Sequence, residues 1–437
     1  MTNCSTIKLE FKGIKSKKVE ANFKGGRITS DGGALLLRKA ESKIQFLSQL
    51  SKAIKDQRHQ GYIEHRYETM IQQRVFGIAC GYEDGNDHGE LRKDEMFKLI
   101  TNKDVNDKDL ASPSTLCRLE NSISREDMVN IAKVFVEIFI RSFSKEPKEI
   151  ILDFDATDDQ LHGRQEQGYF NSYYGGYCYL PLYIFCGEKL VLPYLRPSNI
   201  DGARHSWALL SLLVKRFRQE WPKVKIIFRA DAGFCRHRML DWCDRHNVGY
   251  IIGIGRNSRL AEAAQSIIEE SRKAFDGENP VKIFGEVSYG AKTWNRERRV
   301  IVKVEQRVEG ENIRYLVTNI EDIPEERLYQ QLYCLRGDME NRIKEQQLYL
   351  FADRTSCSKF LSNQFRLFLA SAAYVLLEYI RRVGLKGTEL AKAQCSTIRL
   401  KLLKIGGIII SNTRRITIQL SECFVYKKLF AQAILRL

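Results

Sequence analysis

No Cys-x-x-Cys pair occurs in the 437 residues, although the chain carries 11 cysteines. They stand singly from Cys4 to Cys423, an odd number without zinc-ligand spacing. That argues against a structural zinc site and a disulfide framework, and for reduced, mostly buried thiols in a cytosolic protein. Cys178, Cys186 and Cys235 lie in apolar, strand-like stretches where a small apolar residue packs well. The N-terminus, MTNCSTIKLEFKG, has no apolar signal core, and no apolar window reaches a membrane-spanning length. The expectation is a soluble, cytoplasmic protein with no membrane partner. Internal repeats and low-complexity linkers are also missing.

Acidic charge is in short supply: 54 Asp+Glu face 70 Lys+Arg, a net charge of +16. Such an excess points to a polyanionic partner, nucleic acid first among them, and speaks to association and not to fold. A chain of this length has room for two or three domains with a substantial core. The first fifty residues alternate short strand-like pieces with glycine turns (GGRITSDGG), and a helical pattern then runs to about residue 143. Within it, SPSTLCRLENSIS has a clean helix start at Ser112 and Pro113. Ser114, Thr115 and Arg118 would face outward there, which suits either phosphate contact or an ordinary capped helix.

From Lys148 the pattern becomes three consecutive strands, then helix, strand, helix, strand, which describes a mixed sheet covered by helices. A second β-rich stretch, 281–319, precedes a long amphipathic helix from about Pro324 to Tyr349. The tail is helical, then basic and mixed. Expected divisions are 1–145, mainly helical; 146–257, the first part of a catalytic core; 258–322, a β-rich insertion; 323–380, the rest of the core; and 381–437, a basic C-terminal region.

The scarce acids are concentrated. ILDFDATDD puts Asp153, Asp155, Asp158 and Asp159 where a buried strand ends, and IIFRADAGF puts Asp231 at the carboxyl end of another. Ligand sites in open α/β sheets gather at such ends. On the long helix, Tyr333, Arg336, Glu340, Lys344 and Gln347 fall on one stripe, too polar for a core face. Two aspartates at strand ends and a glutamate on a helix are hard oxygen ligands of the kind two magnesium ions ask for in phosphodiester chemistry.

Other readings compete. A calcium loop fails, because its sixth position would be Asp158 in place of glycine and its twelfth Arg164 in place of glutamate. ILDFDAT also fits the signature of haloacid-dehalogenase-like phosphatases, with Asp153 as nucleophile and Asp155 as acid/base. That fold needs a helix directly after the strand, whereas GYFNSYYGGYCYLPL leads into two more strands. A DNA-binding protein without catalysis, whose acids merely cap strands and helices, is the remaining alternative.

The order DATD, RADAGF, YxxRxxxE resembles the DDE transposases of bacterial insertion sequences, in the clan marked by a Tyr-Arg-Glu-Lys signature. DFDATDDQLHGRQEQGYFNSYYGGYCYLPL, FRADAGF, YCLRGDMENRIKE, NQFRLFLASAAYVLL and SPSTLCRLEN are similar in particular to insertion-sequence family thirteen-eighty. The resemblance implies a ribonuclease-H-like core in which Asp155, Asp231 and Glu340 are catalytic and bind Mg²⁺, with Mn²⁺ able to substitute. It implies that Tyr333 and Arg336 contact DNA, while Asp153 supports the metal ligands from behind. Where the signature has its lysine this chain has Gln347, and Lys344 on the same face would take over the DNA contact. Trp294, in the implied insertion, would stabilise a flipped base, or else be a half-buried tryptophan on a β surface. Thr115 and Arg118 would contact DNA in the N-terminal region. The implied partners are double-stranded DNA, as terminal inverted repeats and target, and a second or further copies of the chain.

Overall fold

The computed structural model describes residues 8–437, so Cys4 and the start of TIKLEFK lie outside the described residues. Two compact units result, each discontinuous in sequence. One gathers residues 1–47, 58–118 and 379–437; the other gathers 48–57 and 119–378.

The second unit is built on an eight-stranded mixed sheet. Its strands in chain order are β1 (Glu149–Ala156), β2 (Leu182–Cys186), β3 (Lys189–Tyr194), β4 (Lys225–Ala230), β5 (Gly249–Ile254), β6 (Val281–Tyr289), β7 (Arg298–Arg307) and β8 (Gly310–Thr318). Their spatial order is β6-β7-β8-β5-β4-β1-β2-β3. Only β1, β4 and β5 run parallel, and β4 and β5 are buried along nearly their whole length, as strands covered on both faces must be. The stretch 281–319 is a meander that continues this sheet through the antiparallel β5–β8 pairing.

Strand alternation divides β1 between two faces. Ile150, Leu152 and Phe154 point one way, and Phe154 meets Phe228 edge-on at 5.0 Å. Ile151 points the other way, into an apolar cluster of Ile227, Ile251, Ile301, Leu316, Ile320, Leu328 and Tyr329. The last two belong to the segment Glu325–Tyr349, which therefore lies across the face that also carries Asp153 and Asp155. That segment is helical throughout but not uniformly so: π-type turns at Leu328–Tyr333 and Glu345–Tyr349 flank a 3-10 turn and the α-helix Gly337–Lys344. Each wider turn shifts the face presented by the residues beyond it.

The helix Phe360–Tyr379 runs on to Gly384, which makes 25 residues long and apolar enough to cross a membrane. This corrects the expectation that no stretch reaches that length. With 78% of its most apolar window buried inside the protein, it is a core helix. Phe135–Phe368 and Phe185–Tyr374 ring contacts and a Ser371 Oγ to Gln346 Oε1 hydrogen bond of 2.7 Å pack it into the second unit.

In the first unit, Ile28–Thr29 joins the C-terminal hairpin Gly407–Ser411 and Ile416–Leu420 in a three-stranded sheet. The turn after it needs glycine: a Cβ on Gly33 would lie 1.8 Å from the Leu402 carbonyl oxygen. Beside it Asp31, 1% exposed, pairs with Lys404 at 2.7 Å and accepts the Tyr82 hydroxyl at 2.7 Å. The first and last parts of the chain are thereby held together.

Candidate active site

β1 and β4 are neighbours in register, with Asp153 opposite Arg229. Their side chains share a face, and the result is a closed ion pair. Arg229 Nη2 donates to Asp153 Oδ2 at 2.7 Å, Arg229 Nε donates to the other oxygen, and Nη1 reaches the Leu332 carbonyl. Asp153 is 2% exposed and Arg229 4%. A carboxylate with both oxygens taken by a guanidinium and no opening to solvent is a poor nucleophile. The pair ties two strands to the helical segment immediately before Tyr333.

Two residues on, where β1 emerges from the core, the side chain of Asp155 is partly exposed. Arg336 Nη1 donates to its Oδ2 at 3.3 Å, and Arg336 Nη2 donates to Glu340 Oε1 at 2.9 Å. One guanidinium thus spans two of the three expected carboxylates. Burial pushes the Asp155 carboxyl up to about 7; Arg336 opposes this, while the negative charges of Asp231 and Glu340 add to it. Asp231 ends β4 and caps the turn Ala232–Phe234, its Oδ1 accepting from Gly233 N at 2.9 Å. Asp231 and Glu340 are therefore close enough to raise the cost of ionising Asp155, where two parallel strands end.

Tyr333 completes the cluster. Burial raises its hydroxyl pKa, with Arg336 opposing and Asp231 adding to the shift. Room for that hydroxyl comes from Gly253 on β5, where a Cβ would stand 3.0 Å from the Tyr333 oxygen and 2.9 Å from Ala232 N. The sequence reading missed Gly253; its only signal was a glycine inside an apolar strand, the usual mark of a close backbone approach. Tyr174 was missed as well. Burial pushes it to about 12, and the charges of Asp158 and Asp155 contribute.

The donor set is right for a hard divalent cation: three carboxylates whose mutual repulsion such an ion would relieve. In the arrangement described, Arg336 supplies that compensation, and among the described residues no three His, Cys, Asp or Glu side chains converge closely enough to enclose an ion.

Asp158 and Asp159 follow directly, and Asp159 turns inward, away from solvent. It is 0% exposed, and burial raises its pKa well above the usual carboxyl range. Gln347 Nε2 donates to Asp159 Oδ1 and to the Asp158 carbonyl, both at 3.0 Å. The residue that departs from the signature therefore braces the loop after β1. Lys344, one turn earlier, is exposed.

Trp294 stands apart. Arg299 pairs with Thr318 and Thr318 with Ile251, so the β6–β7 tip points to the end of the sheet opposite the carboxylates. There Trp294 is half-buried, edge-on to Tyr289 at 5.5 Å and with the Arg298 guanidinium 5.7 Å from its ring centroid. Thr115 and Arg118 belong to the first unit, where Arg118 Nη2 donates to Thr115 Oγ1 at 3.0 Å. Arg118 is exposed.

The profile of a protein family described as transposase DDE domain, group 1, matches residues 11–437. No curated protein matches the chain. Among solved structures, one described as the piggyBac transposase synaptic complex with hairpin DNA aligns over 86% of this chain and 81% of its own, at 12% identity and a TM-score of 0.43. That likeness is too loose to transfer residues.

Proposed function

The chain belongs to the DDE transposase domain family, group 1, and on that premise we propose that it cleaves the ends of its own mobile element and joins them to target DNA. Asp155, Asp231 and Glu340 are the proposed ligands of Mg²⁺, or of Mn²⁺ in its place. The observation that carries this reading is the Asp155–Arg336–Glu340 bridge beside Asp231: three acids at one sheet end, balanced by one arginine. Bound there, divalent cations would supply an activated water and charge stabilisation for the leaving oxygen.

The protein's own groups do the rest. Arg336, released from its bridge, faces the phosphate and neutralises its charge bidentately, while Lys344 meets the strand as a point charge. Tyr333 is fixed by its fit against Gly253 and positions the backbone. A strand 3′-hydroxyl then replaces water as the in-line nucleophile on target DNA, with no covalent intermediate on the protein. In this reading the core is ribonuclease-H-like, the element is a bacterial insertion sequence of family thirteen-eighty, and the protein works in the cytoplasm as a homodimer or larger assembly on paired DNA ends. Thr115 and Arg118 recognise those ends.

The phosphatase reading loses its nucleophile, since Asp153 is locked to Arg229. A purely DNA-binding protein would have no use for the clustered acids.

The test is nicking of a DNA fragment carrying the element ends, with Mg²⁺, with EDTA, and with the Asp231→Asn protein. End-specific nicking that needs both metal and Asp231 is expected. Undiminished nicking by Asp231→Asn would remove the assignment, and end-specific binding with no nicking by the wild type would leave a DNA binder.

A further inference from the structure

Between β1 and β2 the chain makes a small three-stranded sheet from Asp159–Gln160, Tyr169–Asn171 and Gly176–Tyr179. Its hairpin, YFNSYYGGY, holds five aromatic residues in nine positions. Exposed aromatics are ordinary when single, but here Tyr169 is 42% exposed, Phe170 57%, Tyr173 86% and Tyr177 61%.

The backbone beneath them is firmly held. Asn171 Nδ2 donates to the Ser198 carbonyl at 2.9 Å, Ser198 Oγ donates to the Tyr169 carbonyl at 2.9 Å, and Asn171 Oδ1 accepts from Tyr173 N at 3.0 Å. Gly175, at φ +69°, supplies the left-handed residue that closes the turn. A rigid frame that presents rings outward loses little entropy when something stacks on them. The rings meet edge to face, Tyr173 with Tyr174 at 86° and Phe170 with Tyr177 at 74°; each such contact covers one face of one ring, and the exposed rings keep the others.

The position of the patch selects its occupant. Asp159, four residues beyond Asp155, pairs with Tyr179 at the base of the hairpin, so the hairpin adjoins the end of β1 where the carboxylates lie. The exposed residues His162 and Arg164 lie on the strand-to-strand connection of the same small sheet, in a chain of net charge +16. A flat, sequence-tolerant aromatic surface beside a phosphodiester-cleaving site suits unstacked bases; paired bases bury their faces against each other.

We propose that the Tyr169–Tyr177 hairpin is a stacking platform for unpaired nucleobases of the DNA strand next to the phosphate being cleaved. The location rests on the transposase reading, whereas the stacking itself is measurable without cleavage.

The test compares the binding of a fluorescent oligothymidine and of a duplex of equal length, by anisotropy, across four proteins: wild type, Tyr173→Ala with Tyr177→Ala, the same pair changed to Phe, and Asp231→Asn. The alanine pair should weaken oligothymidine binding at least about fivefold, the low end of losing base–aromatic stacking. Its duplex affinity should stay within about twofold, and its thermal unfolding should match wild type, since both side chains point outward. The phenylalanine pair should bind oligothymidine like wild type. Undiminished oligothymidine binding by the alanine pair overturns the platform, as does no oligothymidine binding by wild type. A phenylalanine pair as weak as the alanine pair overturns it too, because the hydroxyls would then be the contact. If the alanine pair keeps oligothymidine binding but converts a wild-type dimer to monomer, the face is a protein contact. Normal nicking by Asp231→Asn would fell the transposase chemistry alone, leaving the stacking result to stand by itself.

Discussion

Asp153 and Asp155 are two residues apart on one face of one strand, yet their surroundings are opposites. Asp153 is sealed in the sheet, and both of its oxygens are taken by Arg229, whose third contact is the Leu332 carbonyl. Asp155 stands where the strand emerges and shares a single guanidinium with Glu340, while Asp231 adds a further negative charge nearby. A saturated pair has nothing left to offer a ligand; an undercompensated cluster is held ready for one. The difference follows from depth along the strand: one pleat further in, water cannot reach, and a buried carboxylate survives only if every oxygen is paired.

The sharpest way to break this comparison is to neutralise Asp155 and, separately, to remove the partner of Asp153. Asp155→Asn should lower nicking by about 10³-fold or more, a loss of roughly 4 kcal/mol of transition-state stabilisation. Its unfolding midpoint in denaturant should stay or rise, because a like-charge contact is relieved. Arg229→Ala should do the reverse, costing about 3–5 kcal/mol of stability by stranding a buried carboxylate. If Asp155→Asn destabilised the protein as much as Arg229→Ala, both aspartates would be structural.

The strand ends that carry these acids were legible because an apolar run that meets carboxylates reads as a strand leaving the core, and the alternation of strands and helices after Lys148 gave the mixed sheet. The Asp153–Arg229 pair was not legible: it depends on β1 and β4 being adjacent and in register, a long-range fact with no local signal. Nor was the partner of Gln347, since helical spacing places it on the Tyr333–Glu340 stripe without showing that the loop after β1 folds against it. Gly253 was visible only as a glycine in a strand, because its reason, the Tyr333 hydroxyl, arrives from eighty residues away. Trp294 could not be placed relative to the acids until the register of β5 to β8 was known.

The closed class of buried polar groups extends to the first unit, where pH separates it from the open class. His88 is 0% exposed, and its Nδ1 lies 3.2 Å from Gln73 Nε2, an amide donor that leaves it no room to gain a proton there. Burial lowers its pKa from 6.5 to about 3, with Arg74 adding to the effect. A histidine that is harder to protonate when folded than unfolded contributes stability above the unfolded pKa, and loses it as pH falls through the window between 6.5 and 3. Between pH 7 and pH 5 this should amount to about 2 kcal/mol, at 1.36 kcal/mol per pH unit below the unfolded value. Unfolding curves of the wild type and His88→Gln at the two pH values test it; the variant should lose that much less on acidification. Equal losses in both would place the acid sensitivity elsewhere.

The smallest effect distinguishes two neighbours on one helix. Gln347 holds Asp159 and the Asp158 carbonyl, while Lys344 faces solvent. Gln347→Ala removes a donor from a buried carboxyl and should cost about 1–2 kcal/mol of stability, within the range for an unsatisfied buried acceptor. It should leave the salt dependence of DNA binding unchanged, because an amide turned inward releases no counterion. Lys344→Ala should do the opposite: stability within about 0.5 kcal/mol of wild type, as for a surface substitution, and a salt slope shallower by about 0.9 for one lost phosphate contact. If Gln347→Ala altered the slope and spared stability, the glutamine would be a DNA contact after all.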